Sequence, residues 1–232
     1  MSSNFPYVEI VVARYNESLE WTLEYPFNQF KYTVYNKGVN DNFDKTHVDI
    51  VETLPNVGRC DHTYLYHIVS KYFRLKPITV FFPGSVQMQT KKDRALYILN
   101  HIITQKRAAF YCQYVPTTIK QHFANFKLDE WSCSDLNNKS LNGETSLTLA
   151  KIRPYHAWYS YWFKNVPVNH YCLYGIFSLH RADIIKHNIN RYKQLLNAVE
   201  VSSNPEVGHY IERSWGAIFE PIVFTNIVCA SR

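Results

Sequence analysis

The chain has 232 residues, of which 46% are hydrophobic, 19% charged and 16% aromatic. This balance excludes a disordered chain and a coiled coil, and seven glycines and ten prolines are too few for a low-complexity protein. The net charge of +6 gives a mild positive field that suits an anionic ligand, and the dispersed Lys and Arg residues argue against nucleic acid as partner.

The predicted elements alternate. Tyr7 to Ala13 is a short apolar, β-branched run and predicts a buried strand. A short helix is expected over Glu17 to Tyr25, before Pro26. Lys31 to Asn36 and His47 to Thr53 predict a second and a third strand, stopped by Lys37-Gly38 and by Pro55 and Gly58. Apolar residues at 64, 65, 68, 69 and 72 predict a helix over Asp61 to Phe73, with Asp61 as N-cap. Pro77 to Phe82 predicts a fourth strand, ended by Pro83-Gly84-Ser85. Lys92 to Thr104 has helical spacing again. The charged groups Lys91-Lys92-Asp93-Arg94 and Gln105-Lys106-Arg107 read as solvated helix faces. Residues 112–170 show few clear periods and read as an irregular, aromatic-rich excursion. A strand over Tyr174 to Leu179, a long helix over Arg181 to Val199 and a last helix over Glu206 to Phe219 follow.

Strands separated by helices predict an α/β fold with a mostly parallel, Rossmann-like sheet. Length favours one domain over 1–232. Ligands of such sheets sit beyond the carboxyl ends of the strands. That rule points to Arg14-Tyr15-Asn16, Asn36-Lys37-Gly38, Asn56-Val57-Gly58-Arg59 and Pro83-Gly84-Ser85. The second last of these leads from a Gly turn into a helix N-terminus beside an Arg, an arrangement suited to a diphosphate; an ordinary turn with an exposed Arg explains it equally.

Five cysteines without a CxxC give neither a zinc ribbon nor a redox pair, and scattered thiols fit a reducing compartment. With no signal peptide and no apolar run of transmembrane length, a cytoplasmic protein without a membrane span is expected. No Walker A, GxGxxG, HExxH or GxSxG sequence is present. His209 and Glu212, three apart, could share an ion, but no third ligand is in view and no protein-built metal site is expected. The rings of Arg153 to Phe163 would stack on sugars or bases if exposed, and would be core if packed.

Val11-Val12-Ala13-Arg14-Tyr15-Asn16-Glu17 resembles the first strand and loop of GT-A glycosyltransferases. Asn56-Val57-Gly58-Arg59 with His62-Thr63-Tyr64-Leu65 and His67-Ile68, then Phe81 to Gly84, then Glu212-Arg213-Ser214-Trp215 to Phe219, are similar in order and spacing to a GT-A-like family of unknown function. That family occurs in fungi, algae and large DNA viruses. The resemblance implies a viral or algal protein, in the host cytoplasm if viral. It implies a single GT-A-like domain, with a nucleotide-binding half at 1–111 and an acceptor-side half at 112–232, and a glycosyltransferase that moves a sugar from a nucleotide-diphosphate sugar to a carbohydrate or glycoprotein hydroxyl.

On that resemblance the donor is held by Ala13, Arg14, Tyr15, Asn16, Lys37, Asn56, Gly58, Arg59, His62, Pro83, Gly84 and Ser85. Tyr15 packs on the base, Asn16 bonds the nucleoside, and Arg59 meets the leaving diphosphate. An inverting transfer needs a general base; Glu212 is the first candidate and Asp183 the second. Trp158 and Trp162 form the acceptor wall. The family's Glu is replaced by Cys60. The Asp-x-Asp that binds Mn²⁺ or Mg²⁺ in many GT-A enzymes is absent, since the fourth strand ends Phe82-Pro83-Gly84-Ser85. Either Arg14, Lys37 or Arg59 replaces the metal's charge, or the fold is a non-catalytic nucleotide- or carbohydrate-binding module.

Overall fold

The computed structural model describes residues 4–130, 147–164 and 166–230. Its main sheet contains β1 (Val8–Arg14), β2 (Tyr32–Asn36), β3 (Val48–Thr53), β4 (Ile78–Pro83) and β7 (Phe177–His180), in the order β3-β2-β1-β4-β7. The first four are mutually parallel, and β7 runs antiparallel to β4. A smaller sheet has the order β6-β5-β8, from β5 (Ala109–Tyr114), β6 (His170–Tyr171) and β8 (Asn226–Ala230). The Ser178 hydroxyl joins the two sheets by bonding both the N–H and the C=O of Ala109.

Alternation along the strands divides the apolar residues between two cores. Val8, Ile10 and Val12 of β1, Tyr32 and Val34 of β2, and Ile78, Val80 and Phe82 of β4 face one side. There they meet Trp21, Phe27 and Phe30 and the helix α2 (Gln89–Gln105). Val11, Tyr35 and Phe81 face the other side. They pack under α1 (Arg59–Lys71), and the same core continues through α6 (Ile189–Val199) and α7 (Glu206–Phe219). Because both faces are covered, these strands read as near-continuous apolar runs, and this made them predictable.

Several expectations need correction. Glu17 to Tyr25 is no α-helix: Leu19 has a φ of 62°, and two 3-10 turns follow, Glu20–Leu23 and Phe27–Gln29. The helix predicted over Arg181 to Val199 is two, α5 (Arg181–Ile185) and α6, because the Asn188 side chain accepts the Asn190 N–H and starts a new helix. The excursion at 112–170 carries regular structure: the end of β5, the short α3 (Ile119–His122) and α4 (Tyr155–Phe163). The N-cap position of α1 is Gly58, and Asp61 lies inside the first turn with a buried side chain. Trp131 lies outside the described residues.

Candidate functional site at the carboxyl edge of the sheet

The strand order switches between β1 and β4, since β2 and β3 lie on one side of β1 and β4 on the other. A crevice outside the carboxyl ends at such a point is where α/β sheets take ligands. The loops leaving β1 and β4 interlock there. The Glu17 Oε2 accepts the N–H groups of Tyr15 (2.7 Å) and Asn16 (3.2 Å), folding the loop back on itself. Its carboxylate lies against Gly84, where an added Cβ would come within 2.6 Å of Oε2 and force the Glu17 side chain to shift. The Trp21 Nε1 donates to the Gly84 carbonyl at 2.9 Å.

The start of α1 forms the second wall. Gly58 and Arg59 both have left-handed φ angles, 60° and 54°. The Lys37 ammonium donates to the carbonyls of Val57 and Arg59 and holds this turn. The Arg59 Nη1 reaches Asn204 Oδ1 at 3.3 Å, which also meets His209 Nε2 at 3.3 Å. Cys60 is half-buried, and Asp61 is 2% exposed, its Oδ1 accepting from Trp215 Nε1 at 3.1 Å.

Helix α7 and the turn before β7 form the third wall. The Glu212 Oε1 accepts the Tyr174 N–H at 2.7 Å, and its Oε2 lies 3.7 Å from the Arg213 guanidinium. Tyr174 and Gly175 occupy the left-handed region, and the Tyr64 hydroxyl donates to the Gly175 carbonyl at 2.8 Å. Arg94 is clamped between the rings of Tyr174 (4.8 Å) and Tyr111 (5.3 Å). The Lys91 Nζ donates to Ser85 Oγ at 2.6 Å. Burial lowers the Lys91 pKa; Cys60, Glu17 and Glu212 act on the ammonium in the opposite sense, and Arg59 reinforces the lowering. Four segments distant in sequence thus bring their charges to one place.

The electrostatics separate the acids. Burial pushes the Asp61 pKa up to about 8, and the Glu212 charge adds to the shift, while Arg59 and the Trp215 hydrogen bond oppose it. Burial pushes His62 and His209 down to about 3, helped by the charge of Lys37 on the first and of Arg59 and Arg213 on the second. Both rings are neutral at neutral pH. These shifts predict a stability maximum. Below about 6.5 the unfolded chain takes up protons on the two histidines that the fold refuses, so stability falls with acid. Above that pH, folded Asp61 still holds a proton that the unfolded chain has lost, so stability falls as pH rises through about 8. Each uncompensated proton is worth about 1.4 kcal/mol per pH unit. A Tm profile over pH 5–9 should peak near neutrality. In Asp61→Asn, which keeps the acceptor for Trp215, the alkaline decline should flatten; an unchanged decline would refute the assignment.

The structure brings together Ala13, Tyr15, Asn16, Gly58, Arg59, Pro83, Gly84, Ser85 and Glu212 along this edge, with half-buried Asn56 on the loop before Gly58. Five expected roles need correction. Arg14 is 1% exposed, and its guanidinium bonds Glu17 O, Asn36 Oδ1 and Asn40 O over the Phe43 ring, so it ties loops together rather than meeting a ligand. Lys37 is likewise spent on the Val57–Arg59 turn. His62 is a neutral ring, 3% exposed, stacked on Tyr66. Asp183 is 0% exposed and binds Val223 N–H, Phe224 N–H, the Thr225 hydroxyl and Lys186, which hold its pKa low against the effect of burial. It follows His180, the partner of Ile78 at the amino end of β4, and so lies at the opposite edge of the sheet. Trp158 is 2% exposed in the core and lines no wall, and half-buried Trp162 packs against the same core.

Sequence reasoning missed Lys91, Arg94, Asp61 and Tyr174. Lys91 and Arg94 are three apart on a helix that begins just after Ser85, and that placement was the available signal. Glu206 was also missed as an anchor: it is fully buried and accepts from the N–H groups of Leu128 and Ala150, from Tyr210 and from Arg153.

Among the described residues no group of three or more His, Cys, Asp or Glu side chains is arranged to hold a metal ion. Among them, too, no helix is long and apolar enough to cross a membrane. No curated protein matches the chain. A family model described as "Protein of unknown function (DUF3431)" matches residues 10–231, and the chain belongs to that family.

Proposed function

We propose that the chain is a glycosyltransferase of GT-A-like fold, moving a sugar from a nucleotide-diphosphate sugar to a carbohydrate or glycoprotein hydroxyl. The observation that carries this reading is the meeting, at the sheet's switch point, of one part-exposed carboxylate, Glu212, and two cations, Arg59 and Lys91. Tyr15 and Asn16 on the rim bind the nucleoside. The Glu212 side chain is 23% exposed, within reach of an acceptor. It takes the proton of the acceptor hydroxyl as that oxygen bonds the anomeric carbon and the bond to the diphosphate breaks. Arg59 and Lys91 meet the negative charge that develops on the leaving group.

The residues at the end of β4 do not fit a divalent cation. The Asp-x-Asp position holds Pro83-Gly84-Ser85, and the group bonded to Ser85 is an ammonium. The carboxylate beside Gly84, Glu17, has its Oε2 engaged by two backbone N–H groups. No step is therefore assigned to a metal, and the reading is of a metal-independent transfer.

A thermal-shift panel of UDP, GDP, TDP and CMP, each with Mn²⁺ and with EDTA, tests this. At 100 times its Kd a ligand stabilises by about 2.7 kcal/mol, or roughly 5–10 °C in Tm for a chain of this size. One nucleoside diphosphate should produce that shift, and equally in EDTA. No shift with any of them would overturn the reading. A shift without turnover of the matching nucleotide sugars would leave a binding module instead.

A further inference from the structure

Two of the five cysteines, far apart in sequence, become neighbours. Cys112 lies on β5 and Cys229 on β8, and the parallel pairing of these strands sets them directly opposite each other. Neighbouring strands run about 4.8 Å apart, inside the range of about 4.4–6.8 Å between Cα atoms that a disulfide spans. The two thiol sulfurs are in contact at 2.8 Å, and the Cys112 thiol also points at the Val228 carbonyl. Cys112 is fully buried, whereas Cys229 is exposed. Cys60 and Cys172 have other surroundings: the first lies beside Asp61, and the second donates to the Ile176 carbonyl.

The strand that carries Cys229 is an edge strand. Its entry is already fastened. Asp183 takes the N–H groups of Val223 and Phe224 and the Thr225 hydroxyl, and Asn226 N–H bonds the Ala108 carbonyl. An edge strand is held by one neighbour only, so a crosslink at Cys229, beyond these anchors, adds a covalent tie to the β5–β8 ladder.

We propose that Cys112 and Cys229 form a disulfide-forming pair, closed by a small-molecule disulfide such as oxidised glutathione, that staples β8 to β5. The exposed Cys229 reacts first, because burial and the adjacent Cys229 sulfur hold the Cys112 thiol well above the usual range. The Cys229 thiolate attacks one sulfur of oxidised glutathione, and one glutathione leaves as thiolate. Cys112 then gives up its proton and attacks the Cys229 Sγ of the mixed disulfide, releasing the second glutathione. Two protein thiols are oxidised to one disulfide, one glutathione disulfide is reduced to two thiols, and the two thiol protons end on glutathione.

The test uses the full chain in glutathione buffers of rising oxidised fraction, with non-reducing peptide mapping by mass spectrometry and a Tm measurement. The expected product is a crosslinked Cys112–Cys229 peptide pair lighter by two hydrogens. The ring closed by residues 117 apart in sequence should raise Tm by roughly 10 °C, reversed by dithiothreitol. Cys229→Ser, at an exposed position, should keep the Tm of the reduced protein and lose the oxidant-dependent rise. Glutathione persisting on Cys229, a crosslink to another cysteine, or the same rise in Cys229→Ser would overturn the proposal.

Discussion

A Glu212→Gln protein is expected to bind the donor nucleotide with an unchanged thermal shift and to lose about 10²–10⁴-fold in turnover, the usual contribution of a general base. That loss corresponds to about 3–5 kcal/mol of transition-state stabilisation. The substitution isolates the chemistry because of how the side chain is held. The Glu212 Oε1 is fixed by the Tyr174 N–H at 2.7 Å, and a glutamine carbonyl accepts the same bond. The turn that carries Tyr174 and Gly175 therefore keeps its left-handed geometry. The second oxygen, 3.7 Å from the Arg213 guanidinium, becomes an amide that cannot take a proton. The readout is kcat for the nucleotide sugar identified by thermal shift, with the nucleotide Kd measured alongside. Equal kcat in the two proteins would remove Glu212 from the mechanism. A lost thermal shift would show that it serves binding instead.

Legibility in the sequence followed local periodicity and stopped where roles depend on distant segments. β1 and β4 were readable because Val8–Val12 and Ile78–Phe82 are apolar on both faces, as a sheet covered on both sides demands. The rim followed from the strand ends, because a parallel sheet places its loops at one edge. β8 was not readable: Asn226–Ala230 is only five residues long, and its partner β5 lies more than a hundred positions earlier. Asp183 looked like an acid at a helix start, and nothing nearby announces that residues 223–225 return to cover it. Arg14 and Lys37 read as ligand cations because they sit at strand ends. In the fold those ends are crowded with backbone carbonyls, which took both charges. The run from Lys91 to Arg94 read as solvated because charge runs usually are. Lys92 does lie at the surface, paired with Glu24, but the helix begins over the exit of β4, so Lys91 and Arg94 turn toward the crevice.

That relocation of positive charge carries the second large prediction. Arg14 and Lys37 bind loop carbonyls, and on the proposed reading the diphosphate is met instead by Arg59 and Lys91. A Lys91→Met protein keeps the apolar stem that packs at the start of α2 and removes only the ammonium. Little stability should be lost, since burial already works against the charged form of Lys91. Electrostatic groups aimed at developing charge contribute about 10²–10³-fold to turnover, and a loss of that size is expected. Charge present in both bound donor and product makes the nucleoside diphosphate bind more weakly too, while a nucleoside lacking phosphates should bind as before. Ser85→Ala provides the graded comparison: it removes the hydroxyl that orients Lys91 at 2.6 Å but leaves the charge, so its effect on turnover should be smaller. Rescue of Lys91→Met by Mn²⁺ would show that the ammonium occupies the place of a metal. Unchanged turnover in Lys91→Met, or an equal loss of affinity for the phosphate-free nucleoside, would instead return Lys91 to the solvated face its sequence suggested.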